Sequence, residues 1–330
     1  MKIKSKHIAL LLTLAVAILA VVVVLKNVSH HPPYRPLDEQ LTSLKNKPVV
    51  IPSRLLDSSQ IVDDLKFLSS DSCEGRQPGT EGHDRAVNRI LQQMRKIGLD
   101  SFNSSLLQIF TGKEKNRTKV GQNIIGYVKG TTHPGKYIVI SAHYDHIGKT
   151  VKGEIYHGAS DNASGTACLL AMAKYFKEHP HPYSLIFAAF DREESGEEGS
   201  FYFVEQAMSN EHHLNIKFNL NIDMIARNDK NEIFACGIVH YPSFAYLVKE
   251  TQGKTNVKLL MGHDTGNRRD DWTNLSDHYP FHLEKIPFLY IGVEDHPDYH
   301  KTTDTFDKID LSSYIENCNM ILLIAQILNP

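Results

Sequence analysis

The sequence predicts an α/β protein, a three-layer α/β/α sandwich around a mixed, largely parallel central sheet. Two observations carry that prediction. Short apolar, β-branched runs alternate with helical apolar spacing from about residue 59 to residue 328. Composition is that of a globular protein, with 41% hydrophobic and 22% charged residues, which excludes a disordered tail, a collagen and a coiled coil. With no internal repeat and no second core in view, one domain over residues 55–330 is the simplest organisation.

The elements follow in order. Ser59 to Gly98 reads as helix, interrupted by the turn-rich GRQPGTEG of residues 75–82. After that turn Ala86, Ile90, Leu91 and Met94 recur at helical spacing, and Gly98 is a typical stop. Asn123–Val128 and Tyr137–Ser141 are strands bounded by Gly and Pro. Ala163–Phe176 is helix, Ser184–Phe190 a buried strand, and Glu198–Ala207 helix. Ile216–Ile222 and Glu232–Val239 are strands, Phe244–Gln252 is helix, and Val257–Met261 and Pro287–Gly292 are strands. Leu311–Leu328 closes the chain as a helix.

Before this domain lies a different kind of segment. Ile8 to Leu25 holds no charge and a single polar residue, Thr13. As a helix of about 27 Å it would just cross a hydrocarbon core. Lys2, Lys4 and Lys6 precede it, so residues 1–7 stay in the cytoplasm and the body is exported. A cleaved signal peptide, giving a secreted body, is the competing expectation, although no good small-x-small site follows. Residues 26–54 form a linker that includes the stiff HHPPYRP.

The net charge of −2 gives no basic surface for nucleic acid. Residues 1–35 carry five bases and no acid, so the remaining 31 basic and 38 acidic residues leave a mildly acidic body. Cys73, Cys168, Cys236 and Cys318 lie far apart without a CxxC, which speaks against a cysteine zinc site. One or two disulfides could form in an oxidising compartment, while Cys168 and Cys318 sit in apolar helical patterns and suit packing. The 18 histidines invite a metal hypothesis that their number alone cannot support.

In α/β sheets ligands bind beyond the carboxyl ends of the strands, so the polar clusters there matter most. Five exist. His143-Tyr144-Asp145-His146 follows the strand YIVIS; a metal on one ring nitrogen of His143, with Asp145 on the other, is one reading, and a strand-end His–Asp pair is the alternative. Asp161, in GASDNASG, could bind metal or cap the following helix, as could Ser160 or Asn162. Glu193 and Glu194 follow SLIFAAF; adjacent carboxylates there are costly unless a cation is near, although a solvated helix start also explains them. Asp223 follows IKFNL, and His300 lies in YHKTTDT; a turn residue and a polar loop are their ordinary readings. Together they offer His, Asp, Glu, Asp and His without sulfur, a set suited to zinc, manganese or cobalt. Two metals can share it if one carboxylate bridges.

These five motifs, in order over about residues 58 to 328, resemble the co-catalytic dizinc aminopeptidases, zinc exopeptidases whose relatives include glutamate carboxypeptidases and glutaminyl cyclases. The resemblance implies a zinc-exopeptidase-like fold and two Zn2+ per chain. By motif, His143 and Asp223 would bind one zinc, Glu194 and His300 the other, and Asp161 would bridge. Glu193 would be the general base and Asp145 would orient His143. A cis peptide is implied at Asp161–Asn162. Ser276-Asp277-His278-Tyr279-Pro280-Phe281 resembles a segment near the substrate pocket, but Asp271-Trp272-Thr273 stands where some relatives place an oxyanion-stabilising Tyr. Tyr279, His278 or no side chain could take that role.

The implied activity is hydrolysis of peptides with a free N-terminus. Carboxypeptidase or dipeptidase action is also open, as is the oligomeric state. The rival readings are a glutaminyl cyclase-like acyltransferase, which in this family uses a single metal, and a non-catalytic membrane-anchored ectodomain on the same fold.

Overall fold

A computed structural model describes residues 56–102, 104–114, 117–209, 213–227, 230–266 and 270–330. The expected transmembrane anchor, and all of the linker, lie outside the described residues. Among the described residues no helix is long and apolar enough to cross a membrane.

Helix α1 (Ser58–Leu68) begins where Asp57 accepts hydrogen bonds from the Ser59 and Gln60 amides. Helix α2 (Glu81–Ile97) starts on the Thr80 hydroxyl, which accepts from the His83 amide, and ends at Gly98 with φ 76°. That left-handed turn costs least for glycine. α2 buries Ala86, Val87, Ile90, Leu91 and Met94 on one stripe, as its spacing requires.

The strands are β1 (Leu107–Glu114), β2 (Arg117–Val128), β3 (His133–His143), β4 (Tyr183–Phe190), β5 (Ile216–Ile222), β6 (Glu232–Cys236), β7 (Lys258–Met261) and β8 (Phe288–Gly292). They form one sheet in the order β1-β2-β4-β3-β5-β8-β6-β7. The four central strands β4, β3, β5 and β8 run parallel. β2 joins β4 antiparallel, β1 joins β2 antiparallel, and β6 meets β8 antiparallel while pairing parallel with β7. The antiparallel flank is longer than the sequence suggested. β2 starts six residues earlier than expected, and β1 was not anticipated at all. The run LQIFTGKE of β1 mixes polar and apolar residues because it is an edge strand, with Ile109 exposed. The strand expected over Glu232–Val239 ends at Cys236.

The remaining helices are α3 (Gly165–Glu178), α4 (Glu198–Met208), α5 (Ala245–Thr251), α6 (Tyr279–Leu283) and α7 (Leu311–Ile327). α3 crosses β3 and β4, with α1 and α2 beside it, and α7 packs against α1 and α5. On the opposite face Phe203 and Val204 of α4 and Phe281 of α6 pack on Ile125, Val139, Ile186 and Phe190. β4 is buried at every position, which explains why SLIFAAF is continuous rather than alternating. Truncating a buried Phe such as Phe190 costs about 3–5 kcal/mol at such a place.

Asp310 caps α7 through the Ser312 and Ser313 amides. Within α7, Tyr314 Oη donates to the Ser164 carbonyl at 2.7 Å and Asn317 Nδ2 to the Ile225 carbonyl at 2.7 Å. The last helix therefore braces two loops at the carboxyl end of the sheet. All four cysteines are free and buried, so they act as small core residues.

Candidate metal centre

Because β4, β3, β5 and β8 are parallel, the loops leaving their carboxyl ends open on the same edge of the sheet. β3 delivers His143, β5 delivers Asp223, and the segment after β4 delivers Glu193 and Glu194. Asp161 comes from the turn before α3, and His300 from the loop after β8.

The fold brings all seven residues singled out in the sequence to this edge. His143 Nε2 lies 3.4 Å from Asp161 Oδ1 and 3.2 Å from Asp223 Oδ1. His300 Nε2 lies 3.1 Å from Asp161 Oδ2 and 3.2 Å from Glu194 Oε2. The two oxygens of Asp161 thus face two separate groups of ligands. Two groups suited to a metal ion result, His143 with Asp161 and Asp223, and Asp161 with Glu194 and His146.

His146 is the residue that the motif reading left without a role. Its Nδ1 sits 2.7 Å from Glu194 Oε1 and 3.7 Å from Asp161 Oδ2, and the ring is buried. The signal was present in HYDH, but nothing in the sequence says that the chain turns back after Asp145 and aims the second imidazole at Glu194.

Asp145 is buried beneath His143. Its Oδ1 accepts the Glu193 amide at 3.0 Å and lies 3.7 Å from His143 Nδ1. It therefore touches both the imidazole and the backbone of the candidate base. Glu193 Oε2 is 4.0 Å from His143 Nε2. Burial pushes Glu193 well above the usual carboxylate range; His143 pulls it down, and Asp223 and Asp277 push it further up. Burial also opposes Glu194, yet its hydrogen bonds from His146 and His300 hold it well below the ordinary value. Adjacent glutamates thus have opposite proton affinities, the pattern expected of a base beside a ligand. Burial lifts Asp277 to about 8.

The turn that carries Asp161 is tied down by hydrogen bonds on both sides. The Asp161–Asn162 peptide is cis. Asp304 accepts from the Ser160 and Asp161 amides at 3.0–3.1 Å. Asn162 donates to the Ile222 carbonyl at 2.9 Å and accepts from the Gly165 and Met224 amides. Gly165 has no room for a side chain, since a Cβ there would lie 2.5 Å from the Ile222 oxygen. On the other side, the guanidinium of Arg76 is fully buried. It donates to the carbonyls of Tyr144, Leu68, His157, Gly158 and Asp161 at 2.7–3.2 Å. Arg76 sits in the GRQPGTEG turn, and its contacts are 8 to 85 residues away in sequence, so only the folded chain reveals them.

Asp223 is supported from the SDHYPF segment. Ser276 Oγ donates to Asp223 Oδ2 at 2.8 Å and accepts from Asn221 Nδ2. His278 Nε2 lies 3.0 Å from the Trp272 carbonyl, and burial lowers this imidazole to about 3. Its one N–H is therefore committed to Trp272. Tyr279 stands at the start of α6 with its ring against Phe201.

The donor set fits divalent zinc, with carboxylate and imidazole ligands and no thiolate. Asp145 Oδ2 and His146 Nε2 are buried without a hydrogen-bond partner, which is costly unless a cation or water satisfies them.

Comparison with known proteins places the fold and the family. Aminopeptidase YwaD of Bacillus subtilis is 27% identical over 205 residues, covering 58% of this chain and 41% of that protein. The chain thus spans well under two thirds of that relative's length. The fold is that of a leucine aminopeptidase precursor from Bacteroides thetaiotaomicron, with TM-score 0.70 at 19% identity, covering 85% of this chain and all of the other. It is equally that of Fimbriiglobus ruber glutaminyl cyclase, with TM-score 0.70 at 18% identity, covering 86% of this chain and all of the other. The family model described as Peptidase family M28 matches residues 123–325, a stretch running from β2 into α7 that contains His143, Asp161, Glu193, Glu194, Asp223 and His300. By that match the chain belongs to peptidase family M28.

Proposed function

We propose that the chain is a zinc-dependent aminopeptidase, which hydrolyses the N-terminal peptide bond of peptides with Glu193 as general base. The observation that carries this reading is Asp161, whose two oxygens face two ligand groups beside a glutamate that burial keeps basic. His143, Asp161 and Asp223 would hold one ion. Asp161, Glu194 and His300 would hold the other, with His146 fixing Glu194. Mn2+ or Co2+ suits the same donors. When bound, such a metal pair acidifies water and neutralises negative charge that develops on the substrate.

The protein's own groups do the rest. Glu193 removes a proton from the attacking water and returns it to the leaving amine. Asp145 holds the Glu193 amide and the His143 ring in register. The free α-amine of the substrate, a cation, suits an acidic body and a carboxylate-rich centre. The apolar run of residues 8–25, preceded by Lys2, Lys4 and Lys6, supports a membrane-anchored protein whose catalytic domain is exported. Protease added to intact cells should then digest the domain.

The decisive test is a panel of aminoacyl anilides, with free and N-acetylated amines, assayed with and without chelator. Free-amine substrates should be cleaved, blocked ones spared, and chelator should stop the reaction. Equal cleavage of blocked substrates would refute the aminopeptidase reading. The structural likeness to a glutaminyl cyclase gives a second reading. One zinc per chain, with conversion of N-terminal glutamine and no hydrolysis, would favour it.

A further inference from the structure

The parallel strands give the domain two unlike edges. Their carboxyl ends carry the candidate metal centre, which is rich in carboxylates. Their amino ends, at His133, Tyr183, Ile216 and Phe288, lie on the opposite edge. The segments that enter there hold Lys129, Lys136, Lys217 and Lys285, and α2 ends beside them with Arg95 and Lys96. The end of α2 belongs to this edge because Asp100 exchanges backbone hydrogen bonds with Tyr127 near the end of β2. Arg95, Lys96, Lys129 and Lys285 are exposed, and Lys136 and Lys217 are half-buried.

The acids of the same segments are fewer. Among the described residues they are Asp100, Glu178 and Glu284, and Asp100 already faces Lys177 at 3.9 Å. A body that is acidic overall thus concentrates positive charge at one edge. Apolar groups lie among these cations. Phe102, 36% exposed, stacks on Tyr127 with 4.6 Å between centroids and meets Tyr137 edge-on at 5.9 Å. Leu283, two residues before Lys285, is 51% exposed. Long cationic side chains beside exposed aromatic and aliphatic groups suit a lipid headgroup layer.

The chain also joins the domain here. Helix α1 starts where Asp57 accepts from Lys174 Nζ at 2.8 Å, one turn before the end of α3. It runs to Leu68, whose carbonyl meets Arg76 beneath the metal centre. Residues 1–55, which include the apolar run 8–25, therefore connect to the basic edge rather than to the metal edge.

We propose that this basic edge docks on anionic phospholipid headgroups, so that the metal edge faces the aqueous phase and takes soluble peptides. This rests on the membrane-anchored reading above. The cations are spread over four separate segments of one edge instead of lining a groove, which matches a plane of negative charge better than a single peptide.

The test uses the full chain in vesicles of phosphatidylcholine, alone or mixed with phosphatidylglycerol, with a nitroxide quencher on the lipid headgroups. A fluorophore is attached through Gly135→Cys, at the start of β3 where a Cβ meets nothing within 4 Å, or through Val151→Cys, on the fully exposed hairpin that follows His146. The native cysteines are all buried. In mixed vesicles the label at 135 should be quenched at least about threefold more than the label at 151, and about 1 M salt, which shortens the screening length to about 3 Å, should remove the difference. Phosphatidylcholine alone should give no difference. Lys129→Glu, Lys136→Glu and Lys285→Glu combined should abolish it, while hydrolysis of a soluble aminoacyl anilide stays within about twofold of the parent, because all three stand on the opposite edge from the candidate ligands. Equal quenching of the two labels in mixed vesicles overturns the docking and leaves the anchor reading intact. So does a difference that appears on phosphatidylcholine alone, persists in salt or survives the triple variant. Flotation with phosphatidylcholine vesicles reads the anchor by itself. A chain that stays behind overturns the anchored reading, and the contrast between the labels in mixed vesicles still decides the docking.

Discussion

The two ligand groups that share Asp161 are built in different ways. His143 ends strand β3, and Asp223 immediately follows strand β5. Both are nearly fully buried, and Asp223 is braced by Ser276. Glu194 and His300 come from loops; His300 has φ 52°, and its side chain is 40% exposed. Strands joined by a ladder of hydrogen bonds fix their ends, whereas a loop must be held by its own contacts. The strand-borne group is therefore fixed by the sheet, and if both groups bind an ion, the loop-borne one should release it first. His146, reaching Glu194 from below, partly offsets that difference.

The comparison can be broken or sharpened by substitution. Arg76→Met should have the largest effect, because it strips five buried carbonyls of their donor beneath both half-sites. A loss of more than about 3 kcal/mol in denaturant unfolding, with both ions lost, is expected. A variant that keeps its stability and two zincs would show that the loops need no common clamp. Glu193→Gln should lower kcat by about a hundred- to ten-thousand-fold while zinc content stays at two per chain. Lost metal there would mean that Glu193 is a ligand instead.

Chelator titration followed by metal analysis should remove one zinc well before the other. His300→Ala should leave a single, tightly held zinc, whereas Asp223→Ala should leave one that is readily stripped. Equal lability in the two variants would erase the proposed contrast. His146→Ala should weaken the loop-borne ion by about ten- to a hundredfold, the usual cost of removing a partner behind a ligand. The smallest effect belongs to Asp310→Ala, which touches none of the candidate ligands. It removes the cap of α7 and should cost about 1 kcal/mol in thermal unfolding, with zinc content unchanged.

How much was legible follows from the physics of each feature. The central parallel strands were visible because a strand buried on both faces must be a continuous apolar run, as β4 is. β1 was invisible because an edge strand answers to solvent on one side and carries no such signature. The candidate ligands were legible as polar residues stranded at the ends of those runs. The placements of Arg76 and His146 were not, since each depends on partners distant in sequence or on the direction of its side chain.

The sequence by itself determined the strand and helix alternation, the five polar motifs and therefore the kind of chemistry, because periodicity and residue type are local properties. Only the tertiary structure decided that Asp161 faces two groups at once and that Arg76 clamps the loops beneath them. These depend on which strand ends meet at one edge of the sheet, and that is settled by strand order and loop path rather than by any single segment.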